Sequence, residues 1–275
     1  MSKKKVLIVT QEMQPYTAFT QIAEIAHNLP KDIQESGMEI RVLMPRFGTI
    51  NERRHRLHEV VRLSGMNIIV DDDDFPLIIK VASLPGARMQ VYFLDNEDFF
   101  KRKYMFEDES GKPYEDNAER MVFFCKGVLE TVKKFGWPPD IVHCHGWMTS
   151  LVPLYLKTAY RNEPLFRNAR VVYSVYNSPY EKNFGSNFAD IASINNLKAD
   201  DLVCYQNGSG AHLHKGALHY ADGVVLAGGE LSQELSQDLI ASGKPVLNSE
   251  EAGNNSNAYL EFYGALLGQE VEEEK

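Results

Sequence analysis

Short apolar runs rich in Val, Ile and Leu alternate with amphipathic stretches along this chain, and few folds accept that order. KKVLIVTQE at residues 4–12 reads as a strand buried on both faces. In the following FTQIAEIAHNLPKDIQESG, Ile22, Ile25, Ala26 and Leu29 recur at helical spacing, with Pro30 predicting a kink and Gly37 an end. MEIRVLMPRF is a second strand, so the segment forms a βαβ unit, whose crossover requires parallel strands. The order returns downstream. Residues 116–136 predict a helix capped by Asp116 or Asn117, with Met121, Phe124, Val128, Leu129 and Val132 as its buried stripe. PPDIVHCH is a strand, WMTSLVPLYLKTAYR a helix and ARVVYSVYN a strand. SGAHLHKGALHYA is a helix and DGVVLAG a final short strand. The alternation predicts an α/β fold, a doubly wound and mostly parallel Rossmann-like sheet, with ligands at the carboxyl ends of its strands.

Between these units, residues 57–70, 76–83 and 87–94 predict successive strands, partly antiparallel, with the four aspartates at 71–74 as a solvated turn. Residues 95–115 are polar and studded with aromatics, as surface loops with a binding role often are. ELSQELSQDLIASG predicts an exposed helix, NSEEAGNNSN a linker, AYLEFYGALLG a short apolar helix and EVEEEK a frayed acidic tail. A domain over residues 1–247 and an appendage over 248–275 are therefore expected.

Bulk properties remove several function classes. The net charge is −9, from 29 Lys and Arg against 38 Asp and Glu, which argues against a nucleic-acid partner. No apolar run approaches the length of a membrane span, and the N-terminal apolar run is too short for a signal-peptide core. The three cysteines, Cys125, Cys144 and Cys204, form no C-x-x-C pair and fit a reducing compartment. A cytoplasmic protein without a membrane partner is expected.

DIVHCHGWMTS, at residues 140–150, is where chemistry concentrates. His143 and His145 lie two apart and share one side of a strand. Two imidazoles could grip a metal, but no third ligand stands nearby, so no metal and no cofactor are expected. Cys144 points the opposite way and reads as a structural thiol rather than a nucleophile. The imidazoles and the apolar face of Trp147 could instead form a sugar or nucleotide-sugar pocket at the N-terminus of the next helix, with Thr149 or Ser150 as its cap. The plainer alternative is a histidine that satisfies loop carbonyls at a strand end.

RVLMPRFG at 41–48, YFLDNEDFFKRK at 92–103, GKPYEDNAERMVFFCKGVLE at 111–130, PPDIVHCHGWMTSLVPLYLK at 138–157 and HKGALHYADGVVLAG at 214–228 add a further signal. In this order and spacing they resemble the N-terminal half of bacterial glycogen and starch synthases, the ADP-glucose-dependent glucosyltransferases of family five. The resemblance implies one half of a two-domain glycosyltransferase fold whose N-terminal half mainly binds the glucan acceptor and whose C-terminal half binds most of the donor. It implies metal-free, retaining transfer of glucose from ADP-glucose to an α-1,4-glucan. The substrate-binding candidates carried by these motifs are Asp116, Asn117, His143, His145, Trp147 and Asn177.

The chain departs from that pattern. Ala18, Thr20 and Gln21 stand where the family has the lysine and two glycines of a phosphate-binding loop, and glycine's access to positive φ is lost with them. Gly146 replaces an aspartate, Met148 and Tyr176 replace histidines, and the donor-side arginine, lysine and glutamate have no counterpart. Three functions remain open: a synthase impaired alone and completed by a second protein or a homodimer, a non-catalytic glucan-binding or regulatory module, and a structural partner without ligand. AYLEFYGALL resembles the helix with which such enzymes return onto their N-terminal half. A returning helix would turn Tyr259, Phe262 and Leu266 inward, whereas an appended dimerisation helix need not.

Overall fold

In the computed structural model, residues 3–176, 183–194, 197–206, 208–228, 231–249 and 255–268 are described. The elements run β1 (Lys5–Thr10), α1 (Gln21–Glu35), β2 (Glu39–Pro45), α2 (Glu52–His55), β3 (His58–Glu59), β4 (Met66–Val70), β5 (Asp73–Ser83), β6 (Gln90–Asp95) and α3 (Glu97–Phe100). They continue with α4 (Asn117–Phe135), β7 (Ile141–His145), α5 (Leu151–Lys157), β8 (Arg170–Val175), α6 (Phe188–Ala192), α7 (Gly210–Tyr220), β9 (Gly223–Leu226), α8 (Gln233–Ser242), β10 (Val246–Asn248) and α9 (Ser256–Leu266). A short 3-10 turn over Trp147–Thr149 precedes α5.

One sheet carries the order β10-β9-β8-β7-β1-β2-β6-β5-β3, with β4 paired to β5. From β10 through β6 every neighbouring pair is parallel. β5 is antiparallel to β6, β3 and β4. The expected doubly wound α/β architecture is present. The chain winds outward from β1 in both directions, through β2 on one side and β7 on the other. The switch point therefore lies between β1 and β7, where such sheets open a crevice beyond their carboxyl ends. Residues 6–9 of β1 are completely buried, as a central strand covered on both faces must be.

Local chemistry explains where the elements depart from the sequence reading. Residues 57–70 are two strands, not one, broken by a turn that includes Gly65 at φ +82°. Only Asp71 and Asp72 form the acidic turn, both at positive φ, while Asp73 and Asp74 already pair with Val70 and Ile69. Two consecutive left-handed residues are what a tight two-residue hairpin needs. α1 continues through Pro30 to Glu35. β10 lies beyond the strand expected to be last, and the boundary expected after residue 247 falls inside it. α9 lays Tyr259, Phe262 and Tyr263 into the main core.

Candidate functional site

β7 delivers the paired histidines to the switch point. Its register sets His143 beside Ile8 and His145 beside Thr10 on β1, with Val172 and Ser174 of β8 on the other side. Both rings sit on one face, with centroids 4.0 Å apart. Neither has any exposed surface. His143 Nε2 shares a hydrogen bond with Ser174 Oγ at 2.7 Å, and Nδ1 shares one with Tyr263 Oη at 2.6 Å. A neutral imidazole donates one of these and accepts the other. His145 Nδ1 meets Tyr176 Oη at 2.7 Å, while its Nε2 has no partner among the described residues. Burial holds the His143 imidazolium well below its ordinary range, with His145 adding to the effect, and burial brings His145 down to about 3. The pair is neutral near pH 7 and supplies no cation to a phosphate.

Protein hydroxyls therefore hold three of the pair's four ring nitrogens, and both rings are fully buried. Trp147 is buried as well. Phe106 covers it with ring centroids 5.0 Å apart, and Phe184 lies 5.9 Å away. Cys144 faces the opposite side of the sheet, fully buried, its thiol pushed far up by desolvation. Among the described residues no group of three or more His, Cys, Asp or Glu side chains is arranged to hold a metal ion.

Across the switch point, Gln11 and Glu12 at the end of β1 organise the loop into α1. Gln11 Oε1 accepts from the Met148 backbone N–H at 3.1 Å. Gly146 takes φ +88°, and a Cβ there would lie 2.3 Å from Gln11 Oε1. Glycine at 146 thus makes room for Gln11, which now serves the turn after β7. The Glu12 carboxylate accepts from Gln11 Nε2 at 2.8 Å and Thr20 Oγ1 at 2.6 Å. Thr20 caps α1 by accepting from the Ala23 N–H at 3.0 Å. Gln21 lies against Gly228, whose missing Cβ would stand 2.3 Å from its side-chain oxygen. Where the resemblance places a phosphate loop, Thr20 therefore holds the β1–α1 connection together, Gln21 lies against Gly228, and Ala18 carries no charge.

The start of α4 does different work. Asp116 occupies the N-cap position but makes no capping bond there; its carboxylate pairs with Arg102. Asn117 Nδ2 donates to the Phe106 carbonyl at 2.8 Å, and its Oδ1 accepts from Arg120 at 2.5 Å. Arg120 is completely buried, donates from Nε to the Phe99 carbonyl at 2.7 Å and lies over the rings of Phe47, Phe100 and Tyr114. The acid-amide-arginine motif therefore clamps segment 95–115 onto α4, and Phe106 carries the clamp to Trp147. His143, His145 and Trp147 stand at the end of β7; Asn117 is linked to Trp147 through Phe106, and Asp116 is held by Arg102. Asn177 lies outside the described residues.

α9 closes the arrangement. Tyr263 is fully buried on His143, Tyr259 is 3% exposed with its ring centroid 6.1 Å from that of His143, and Phe262 is buried. Phe262 and Leu266 press on Gly223, where a Cβ would lie within 3 Å of both. Ser256 Oγ bonds to Asp32 on α1. Sequence reasoning missed Gln11, Glu12, Arg120 and Tyr263 as members of the site. Arg120 stood inside the quoted motif, but nothing local marks Tyr263 as the partner of a histidine 120 positions away.

A family model described as the starch synthase catalytic domain matches residues 5–244. Over 174 residues the chain is 42% identical to the glycogen synthase of Chlorobium phaeobacteroides, covering 63% of this chain and 36% of that protein. Over 181 residues it is 42% identical to the glycogen synthase of Chlorobium chlorochromatii, covering 66% and 37%. The chain thus spans little more than a third of these relatives' length. Its fold is similar to that of the catalytic domain of Arabidopsis thaliana starch synthase IV bound to ADP and acarbose. The TM-score is 0.70 and the identity 18%, over 90% of this chain and 52% of that one.

Proposed function

The chain belongs to the starch synthase catalytic domain family, and from that premise we propose that it serves α-1,4-glucan synthesis by recognising glucan rather than by transferring glucose through its own strand-end crevice. One observation carries this reading. The two imidazoles at the end of β7 are fully buried, and Tyr263, Ser174 and Tyr176 hold three of their four ring nitrogens. A group that must meet a substrate hydroxyl cannot do so while a protein hydroxyl stands in its place. The local charge supports the same reading. Both rings are neutral, Ala18 brings no cation, and diphosphate departure would need its developing negative charge stabilised.

A second reading is favoured by the 42% identity to proteins named glycogen synthase. In it, α9 withdraws, Tyr263 leaves His143, and a second protein or second copy of the chain supplies the donor side for transfer from ADP-glucose.

Labelled ADP-glucose incubated with glycogen and the pure chain separates the two. The expected outcome is co-sedimentation of the protein with glycogen and no label in the polymer. Label incorporated by the pure chain and abolished in His145→Ala would establish transfer. Absence of both sedimentation and incorporation would remove glucan from the account.

A further inference from the structure

α1 and α9 do not close on each other along their whole length. Between them lies a groove of about 230 Å³. The face that α1 turns to it is polar: Gln21, Glu24, Asn28 and Asp32 recur at three- and four-residue spacing and form one stripe. Ile25 and Leu29, one turn apart, give the groove an apolar strip beside that stripe, and Tyr259 adds an aromatic edge from α9. The Ser256–Asp32 hydrogen bond joins the two walls at one end, so the groove exists without a ligand. Gln21 is set at the other end by its contact with Gly228.

We infer that this groove between α1 and α9 is a binding site for a neutral saccharide, one ring of an α-glucan chain being the occupant. The inference rests on the glucan-recognition reading above and gives it a location outside the closed crevice. Two features select the ligand class. Amides, carboxylates and a hydroxyl alternate with an apolar strip, which matches the hydroxyl edge and the C–H face of a pyranose ring. Among the described residues no Lys, Arg or His lines the groove, while Glu24 and Asp32 do, so a phosphate-bearing ligand would meet like charge there. The volume lies below the roughly 300–1,000 Å³ of pockets that enclose drug-sized ligands. The groove therefore grips one ring and leaves the remaining chain in solvent.

Calorimetric titration of maltoheptaose into the full chain tests this, with Asn28→Ala and Glu24→Gln as variants. Both side chains are exposed, so neither substitution threatens the fold. The expected result is binding by the unsubstituted chain, weakened at least fivefold in each variant, and not competed by ADP. Binding that is equal in all three proteins overturns the groove and leaves the glucan reading standing. Absence of maltoheptaose and glycogen binding in the unsubstituted chain overturns the glucan reading, and the groove with it. Competition by ADP overturns the assignment to a neutral ligand.

Discussion

At Gly146 a single missing side chain decides how β7 leaves the sheet. The residue sits at φ +88°, and the space its Cβ would fill belongs to Gln11. Gly146→Ala is expected to lower stability by about 3 kcal/mol. Of this, about 2 is the positive-φ, extended-ψ backbone that is essentially restricted to glycine and about 1 the Gln11–Met148 hydrogen bond, lost as Gln11 moves aside. Denaturant unfolding measures it, and the Gln11→Ala, Gly146→Ala double variant should lie closer to Gln11→Ala than additivity predicts, because the overlap is then gone. Additive losses would show that Gln11 and position 146 do not share that space. The sequence marked Gly146 as a departure from its family, but the reason is a side chain 135 positions upstream, visible only once β1 and β7 are neighbours.

α4 shows how an element acquires a second task. Its apolar stripe was legible from periodicity, and Met121, Phe124, Val128, Leu129 and Val132 are all buried. Its first turn was read as a cap and as ligand groups, whereas the structure spends Asn117 and Arg120 on the carbonyls of Phe106 and Phe99. Arg120→Met keeps the apolar stem but removes the donors, leaving buried carbonyl and amide groups unpaired. It is expected to cost about 3 kcal/mol and to release segment 101–115. Limited proteolysis should then cut within that segment while the sheet core resists. Unchanged cleavage would show that the segment holds itself in place. α9 is the second such element. Its aromatic spacing suggested a buried face, and Tyr259 and Phe262 are buried, with Leu266 half-buried beside them.

Across the whole molecule, the interior stores histidines in their neutral form. His143, His145 and His214 are buried, and burial lowers all three, His145 to about 3 and His214 to about 4. In the unfolded chain each titrates near 6.5. Their folded values are depressed, so the native state is undisturbed above about pH 6.5 and loses stability as pH falls below it, because the unfolded chain takes up protons that the native state refuses. The loss should approach about 1.4 kcal/mol per pH unit for each ring. Denaturant unfolding at about pH 7, 6 and 5 measures it, and His145→Gln should remove one ring's share. A flat profile would mean that the rings already reach solvent. The alternation of strand and helix was written in the sequence because period-2 and period-3.6 burial are local properties, and with them came the parallel sheet and its switch point. Local pattern also placed His143 and His145 on one side of β7. It could not say what faces them, since that depends on which distant segments fill the space beyond the strand ends. Only the tertiary structure decided that Tyr263 and Tyr176 stand there instead of solvent, because a buried imidazole takes the nearest hydroxyl that packing supplies.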